Sequence, residues 1–457
     1  EIMKNRYHVA ILVIALVVLP FATFAKEPQQ KFLDIQEITS AGGINAWLVE
    51  DHSIPVIAMT FSFRGAGAKN NTPAQQGLAR LASNTMDEGA GDLTSQDFQK
   101  QLRDKSISLS FSASRDNFGG SVKTLSQNKN DAFNLLKLAL TKPRFDQEPV
   151  DRMRASNQSR VKSSVANPRW LAARIQNDRI FEGHSYALNS GGTLSSLEKI
   201  TPDDLRAFHK TLGKNQLVIG VAGDITAAEL KTVLDDIFGG MPVVDEAETT
   251  KTNLKNEGKT YLYEQDIPQS VIEMSQVGIS RKDKDYYAAN IMNFILGESG
   301  FGSRLMEEIR EKRGLTYGVY SYFRQYDAVD VLHVSTSTAN ENVQEMLSLI
   351  HAEWDKIKDA PVSEQELNDA KSYLIGSLPL SLTSTSSIAS VLLSLQLDDL
   401  PVDYLDQRAG KIQAVQVNDI QAAAQRVLNK DSMTTVIVGK PQGVEKAEKI
   451  TTLPNVE

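Results

Sequence analysis

Leu217-Val218-Ile219-Gly220-Val221-Ala222-Gly223 is an apolar run closed by glycine, and it follows Thr201-Pro202-Asp203-Asp204-Leu205. The run has the length and composition of a short buried strand. The segment before it starts a helix, with a threonine to cap and a proline at the first helical position. The same pair returns as Val417-Asn418-Asp419-Ile420 and Thr434-Thr435-Val436-Ile437-Val438-Gly439. Further out, Ile54-Pro55-Val56-Ile57-Ala58-Met59-Thr60-Phe61-Ser62-Phe63 alternates like a half-buried strand, and Ile267-Pro268-Gln269-Ser270-Val271-Ile272-Glu273-Met274 opens in the same way. Each is followed by a run with helical spacing, Gln76 to Glu88 and Tyr286 to Leu296. The copies stay about 210 to 217 residues apart, which is a domain duplication and not a solenoid repeat. Strands and helices are mixed without a regular βαβ alternation. The expected fold class is therefore α+β, with two homologous lobes, each a mixed sheet with packed helices. The polar stretch from Val244 to Lys259 divides them. It predicts a first lobe at 28–245, a linker at 246–258 and a second lobe at 259–457.

Composition narrows the function. The chain has 457 residues, 41% hydrophobic and 23% charged, which suits folded domains and not a disordered tail. Lys and Arg number 49 against 57 Asp and Glu, a net charge of −8, so charge gives no support for nucleic-acid binding. There is no cysteine, which excludes disulfides, cysteine-zinc sites, iron–sulfur clusters and a cysteine nucleophile. The six histidines are His8, His52, His184, His209, His333 and His351, and no two lie three or four residues apart. No helix here carries a histidine pair on one face.

Lys4 and Arg6 precede an apolar run from Val9 to Phe21, then Thr23-Phe24-Ala25 and a polar resumption at Lys26. That is the order of a secretory signal, with Met3 as the expected start and residues 1–25 removed. The alternative is a retained anchor helix, since the run is almost long enough to span a bilayer. Cleavage is the expectation, with a periplasmic location and no stable membrane insertion afterwards.

Other familiar chemistries find no motif. Gly297, Gly300 and Gly302 are not spaced for a dinucleotide, and no lysine follows as in a phosphate-binding loop. No G-x-S-x-G surrounds a serine, and Ser377, directly after Gly376, has no such elbow. His209 stands on a helical pattern as a surface or rim residue. The Ser/Thr-rich run Ser381 to Ser390 is expected to open a helix through Leu395.

One stretch is more specific. Leu296-Gly297-Glu298-Ser299-Gly300-Phe301-Gly302-Ser303-Arg304-Leu305 leads into Met306 to Tyr317, MEEIREKRGLTY. A glycine-rich loop, Ser-Arg-Leu, and a helix ending in Arg-Gly-Leu-Thr-Tyr resemble the second half of the M16 (pitrilysin/insulinase/processing peptidase) family, in its bacterial M16B-type form. The stretch from Ile54 to Gly89, with Arg64-Gly65-Ala66, is similar to the first-half strand and helix of that family. With the duplication, the resemblance covers almost all of the chain after the signal. It implies a LuxS/MPP-like metallohydrolase fold, with lobes facing each other around a chamber. His184, within Phe181-Glu182-Gly183-His184-Ser185-Tyr186, resembles a loop without a catalytic role in the family.

Active members carry His-x-x-Glu-His on the first helix. Two histidines one turn apart bind zinc, and the glutamate activates water. At the matching positions this chain has Arg80, Ser83 and Asn84, and the slot of the third ligand, counted back from Pro168, falls near Arg160. Arginine stays protonated and cannot coordinate a cation. No cofactor is expected in this chain. Arg310 and Tyr317, seven apart, match the Arg/Tyr pair with which the family grips substrate, and Gly297, Gly300, Gly302 and Ser303 match its loop at the substrate entrance. The resemblance thus implies a non-catalytic subunit of an exported heterodimer. It would supply Arg310 and Tyr317 to a peptide held against the zinc of a zinc-bearing homologue. The alternative it leaves open is a peptide-binding or scaffold protein without hydrolysis. Without the family context, Arg310 is one more solvated residue beside Glu307, Glu308, Glu311, Lys312 and Arg313, Tyr317 opens an alternating strand, and the loop is a glycine turn.

Overall fold

The first sheet takes its strands in the order β1-β2-β6-β3-β5-β4, and the second in the order β12-β7-β11-β8-β10-β9. The first six are β1 Gln36–Thr39, β2 Asn45–Glu50, β3 Val56–Phe63, β4 Ser108–Ala113, β5 Phe118–Leu125 and β6 Leu217–Gly223. The second six are β7 Thr260–Glu264, β8 Gln269–Val277, β9 Val319–Gln325, β10 Asp330–Ala339, β11 Thr434–Gly439 and β12 Glu448–Lys449. This computed structural model describes residues 31–245 and 248–457, so the predicted signal at 1–25 lies outside the described residues.

Five strands of each sheet correspond in order and direction. β2 and β6 pair parallel, as do β7 and β11, while the remaining inner pairs are antiparallel in both sheets. Both sheets are therefore mixed. The sixth strand breaks the symmetry: β1 precedes β2 and pairs with it antiparallel, whereas β12 comes from the chain end and pairs with β7 parallel.

Alternation explains how each sheet is covered. In β8, Ile272 and Met274 face one core with the Tyr286–Asn293 and Val343–Asp359 helices. Val271 faces the other way, into a second cluster with Val436 and Val438. That second face is covered by Leu171, Ala172 and Ile175 of the Pro168–Ile180 helix, which belongs to the first half. The converse holds for the first sheet. Val49, Ala58 and Ala222 pack under Ala389, Leu392 and Leu395 of the Thr385–Leu397 helix from the second half. Each half thus lends one helix to the other's sheet, and Leu33–Glu457 forms one compact unit.

Local chemistry starts these two helices. Asn167 accepts from the N–H groups of Arg169 and Trp170, with Pro168 at the first position. Ser384 and Ser387 form a capping box, so the Ser/Thr-rich run does open a helix, through Leu397. Burial of the Pro168–Ile180 helix extends beyond one stripe. Arg174 is only 5% exposed and donates to the carbonyls of Ala187 and Leu188, and Gln176 donates to Thr434 O at 3.1 Å. Burial pulls the Arg174 guanidinium down to about 10. The stretch after Glu248 is also anchored. Leu254 is buried, Lys255 N donates to Ile180 O, and Asn256 donates to Arg179 O.

Among the described residues no single helix is long and apolar enough to cross a membrane. One bent pair, Glu364–Leu382 with Thr385–Leu397, passes by length and composition.

Candidate functional site

The first-half positions sit on a short helix, Leu78–Ser83, and not on one running to Glu88. Gly77 enters it with φ +88, and a Cβ there would stand 2.7 Å from Gly192 Cα. Past Ser83 the side chains compete with the helix: Ser83 Oγ donates to Arg80 O and Thr85 Oγ1 to Leu81 O. Leu78, Ala79, Leu81 and Ala82 are buried, which turns Arg80 toward the rim.

Arg80 faces the Gln147–Val165 helix, where Asn157 is buried and Arg160 is exposed. Burial, and then the neighbouring charge of Arg160, pull the Arg80 guanidinium below the usual arginine range. Arg160 Nη1 reaches Asn157 Oδ1 at 3.5 Å, while Asn157 Nδ2 and Asn84 Oδ1 are buried without a partner. Arg80 and Arg160 are thus near enough for their charges to act on one another, with Asn84 one turn beyond Arg80 and Ser83 turned back into its own helix. Two guanidiniums, two amides and an internally bonded hydroxyl do not fit zinc; they repel a cation. Among the described residues no three His, Cys, Asp or Glu side chains group to hold a metal ion.

In the second half the glycine-rich segment is a wide turn followed by a tight one at Gly300–Gly302. Phe294–Glu298 is a wide helical turn after the Tyr286–Asn293 helix. Gly297 is buried, and a Cβ there would stand 2.4 Å from Ser321 Oγ. Gly300 has φ +66 with open space around it. Ser303 is fully buried and caps the next turn, donating to Gly300 O at 2.8 Å and accepting from Met306 N at 3.3 Å. Arg304 forks onto Glu366 at 2.8 and 3.0 Å, which ties the loop to the Glu364–Gly376 helix. The two hydrogen bonds hold the Glu366 carboxyl at about 2.

Arg310 lies near the end of the Met306–Glu311 turn, over the Phe301 ring and 4.4 Å from its centroid. Gly314, with φ +64, stops the helix, and Tyr317 falls just before β9. Tyr317 is 82% exposed, and Thr316 beside it donates to Gly318 O. Arg310 and Tyr317 thus share one exposed segment without touching. Phe301 as the partner of Arg310 was not foreseen; an aromatic between two glycines was the available signal.

A cleft of about 810 Å³ lies between the two halves, lined by Arg64, Arg281, Lys282, Asp327, Asp398 and Asp399 among others. The arginine pair and the Arg310/Tyr317 segment lie outside its walls. Sequence reading also missed a buried polar set on β8 and β10. Glu273 accepts from Ser335 Oγ at 2.8 Å, and burial pushes its carboxyl up to about 7. His333 contacts Ser275 Oγ at 2.7 Å, and burial pushes it down to about 3. A glutamate inside an apolar strand, Val271-Ile272-Glu273-Met274, was the signal.

Comparison with known proteins fits this arrangement. Residues 199–374 match the family described as Peptidase M16 inactive domain. The chain is 27% identical to the Non-peptidase homolog YmxG of Helicobacter pylori, over 90% of this chain and 95% of that protein. It is 21% identical to the Mitochondrial-processing peptidase subunit beta of Saccharomyces cerevisiae, over 71% of this chain and 74% of that one. The crystal structure of a peptidase M16 inactive domain from Pseudomonas fluorescens superposes with a TM-score of 0.82 at 28% identity, over 92% of this chain and all of that one. The repeated five-strand order, the arginine and asparagine at the metal-ligand positions and these matches together make the chain similar, over most of its length, to the peptidase M16 family in its inactive form.

Proposed function

We propose that the chain is the zinc-less subunit of an exported M16-type peptidase heterodimer, and that Arg310 and Tyr317 complete the site of a zinc-bearing homologue. The observation that carries this reading is the presentation of the pair. Tyr317 is 82% exposed ahead of β9, and Arg310 is steadied over Phe301 with the solvent-exposed Glu311 carboxylate 3.5 Å from its Nε, a surface pair that a substrate can displace. A tyrosine hydroxyl donates to the oxyanion that forms when water adds to a peptide carbonyl. An arginine fork grips a backbone carbonyl or carboxylate. Gly300 and Gly302, at the surface beside them, would border the incoming peptide, with Gly297 and Ser303 holding the loop behind. The yeast relative is by name a subunit of a processing peptidase, which supports shared labour between chains. The N-terminal signal pattern supports export to the periplasm.

The first test is the native mass and zinc content of the chain purified gently from its own cells. A species of about twice the chain mass, with a second polypeptide and one zinc, is expected. A mixing assay follows: Tyr317→Phe must lower the peptidase rate of the pair, and an unchanged rate removes the completing role.

The name Non-peptidase homolog of the Helicobacter pylori relative favours a second reading, a peptide-binding scaffold without hydrolysis. It predicts a lone species, without a zinc partner, that binds peptides and does not cleave them.

A further inference from the structure

One face of the second sheet is only partly covered. Ile272, Met274, Val319, Leu332 and Val334 point into the core of the second half. The alternate residues of these strands point the other way. Strand register sets Tyr320, Ser335 and Glu273 in one row across β9, β10 and β8, and Tyr322, His333 and Ser275 in the next. The Pro168–Ile180 helix packs on this face over β11 and β8. Beyond it the face reaches solvent: Tyr320 is 44% exposed, and Arg169 and Arg324 are exposed. β9 begins just past Tyr317, so the face adjoins that residue.

The charges on this face are unbalanced. Arg281, Arg304, Arg313 and Arg426 of the second half each take a carboxylate. Among the described residues Arg169 and Arg324 take none. Arg169 donates to Ser337 Oγ at 3.2 Å, and Arg324 donates to Tyr322 OH at 3.3 Å. Hydroxyls steer the two guanidiniums without neutralising them. The carboxyl on the rows between them is Glu273, buried at 9% exposure, which accepts from Ser335 Oγ at 2.8 Å and makes no ion pair among the described residues. Burial raises it to about 7, so below that pH it holds a proton and offers a hydrogen bond in place of a charge. The other groups around it supply no anion. Burial keeps His333 neutral, Tyr320 and Tyr322 carry hydroxyls, and Arg115 of the turn between β4 and β5, whose charge reaches His333, is a further cation.

Ser337 and the row of Tyr322 and His333 are four residues apart along β10, about 13 Å. An extended peptide repeats that span between side chains i and i+4 on one side. The planar fork of arginine suits a carboxylate.

We propose that Arg169 and Arg324, with the Glu273 carboxyl between them, form a subsite for an extended peptide that carries acidic side chains. The choice of a peptide as ligand rests on the function proposed above; the preference for acid rests on the two arginines. No bond is made or broken here, and the subsite sets position and preference.

The test uses the full lone chain at low salt and fluorescence anisotropy with N-terminally labelled, amidated decapeptides of otherwise uncharged residues. One probe has Asp at its third and seventh positions, one has Asn there and one has Lys. At pH 6 the Asp probe is expected to bind at least about tenfold more tightly than the Asn probe, and the Lys probe no more tightly than Asn. Arg169→Met/Arg324→Met should erase the difference. If that variant does not fold, Arg324→Gln alone, at an exposed strand position, should narrow it at least about threefold. Raising the pH to 8 should weaken the Asp probe in the wild type, because Glu273 then ionises between the arginines. Glu273→Gln, which cannot ionise, should bind the Asp probe more tightly than the wild type at pH 8. Equal binding of the Asp and Asn probes, tighter binding of the Lys probe, no binding by any, a preference that survives the arginine changes, or one that stays level from pH 6 to 8 would overturn the proposal. So would free succinate displacing the Asp probe as effectively as unlabelled Asp peptide does, which would mark a general anion site. No zinc partner takes part, so failure of the mixing assay with Tyr317→Phe leaves this result standing, and the converse also holds.

Discussion

Gly220 on β6 meets Ala389 of the Thr385–Leu397 helix backbone to backbone: a Cβ on Gly220 would stand 2.3 Å from Ala389 O. The helix from the second half can lie this close on the first sheet only because that strand position has no side chain. Gly220→Ala must push the exchanged helix away and is expected to cost about 1–3 kcal/mol, as overpacking does. Gly410, inside the Tyr404–Ala414 helix, is the control, since a Cβ added there would meet no atom within 4 Å. Gly410→Ala should stabilise by up to about 1 kcal/mol. Urea midpoints of the two variants should therefore move in opposite directions.

Glu273 gives a pH dependence with a definite sign. Its folded value is about 7 against an ordinary 4.5, with burial as the main cause and Arg169 and Arg324 opposing it. The folded chain thus holds the proton more tightly than the unfolded one. This stabilising preference is fully present below pH 4.5, is lost as pH rises through about 7, and is flat above. Glu273→Gln stays neutral, so the stability difference between variant and wild type should grow by up to about 3 kcal/mol between pH 4.5 and 7.5. A difference that stays constant over that range would show that the carboxyl ionises normally. His333 has the opposite sense: its folded value near 3 lies below the ordinary 6.5, so its contribution is present above pH 6.5 and lost on acidification.

Glu366 serves two structures at once. It accepts from Ser363 N as part of a capping box and receives the fork of Arg304. Glu366→Ala should cost about 1–2 kcal/mol through the lost cap alone. Amide exchange between Gly297 and Leu305 should also accelerate, because Arg304 is what fastens that loop to the helix. Glu366→Gln should keep the cap better than the fork, so loop exchange should rise more than global stability falls.

Tyr317 separates function from folding. At 82% exposure, Tyr317→Phe should change stability by less than about 0.5 kcal/mol. In the mixed assay with a zinc-bearing homologue, loss of an oxyanion donor should reduce turnover by about 10²–10³-fold. Arg310→Ala should raise KM more than it lowers kcat, because a backbone grip acts on bound substrate as well as on the transition state. It should also free the Phe301 ring, which a fluorophenylalanine probe at position 301 would report.

The duplication, the mixed α+β class and the replacement of the His-x-x-Glu-His pattern by Arg80, Ser83 and Asn84 were legible without coordinates. Strand alternation, caps such as Thr201-Pro202, and the identity of Arg80 or Asn84 are local properties, read one residue at a time. The remaining features depend on which distant segments meet. The Pro168–Ile180 helix crosses to the second sheet and Thr385–Leu397 to the first, because each sheet has a second apolar face that its own helices leave uncovered. The sixth strand comes from opposite ends of the two halves, since edge pairing depends on which chain segment arrives. Arg310 rests on Phe301 and apart from Tyr317 because Gly314 turns left-handed and ends the helix that would have stacked them. Arg80 feels the charge of Arg160 because the Leu78–Ser83 and Gln147–Val165 helices pack against each other, a proximity that no local periodicity encodes.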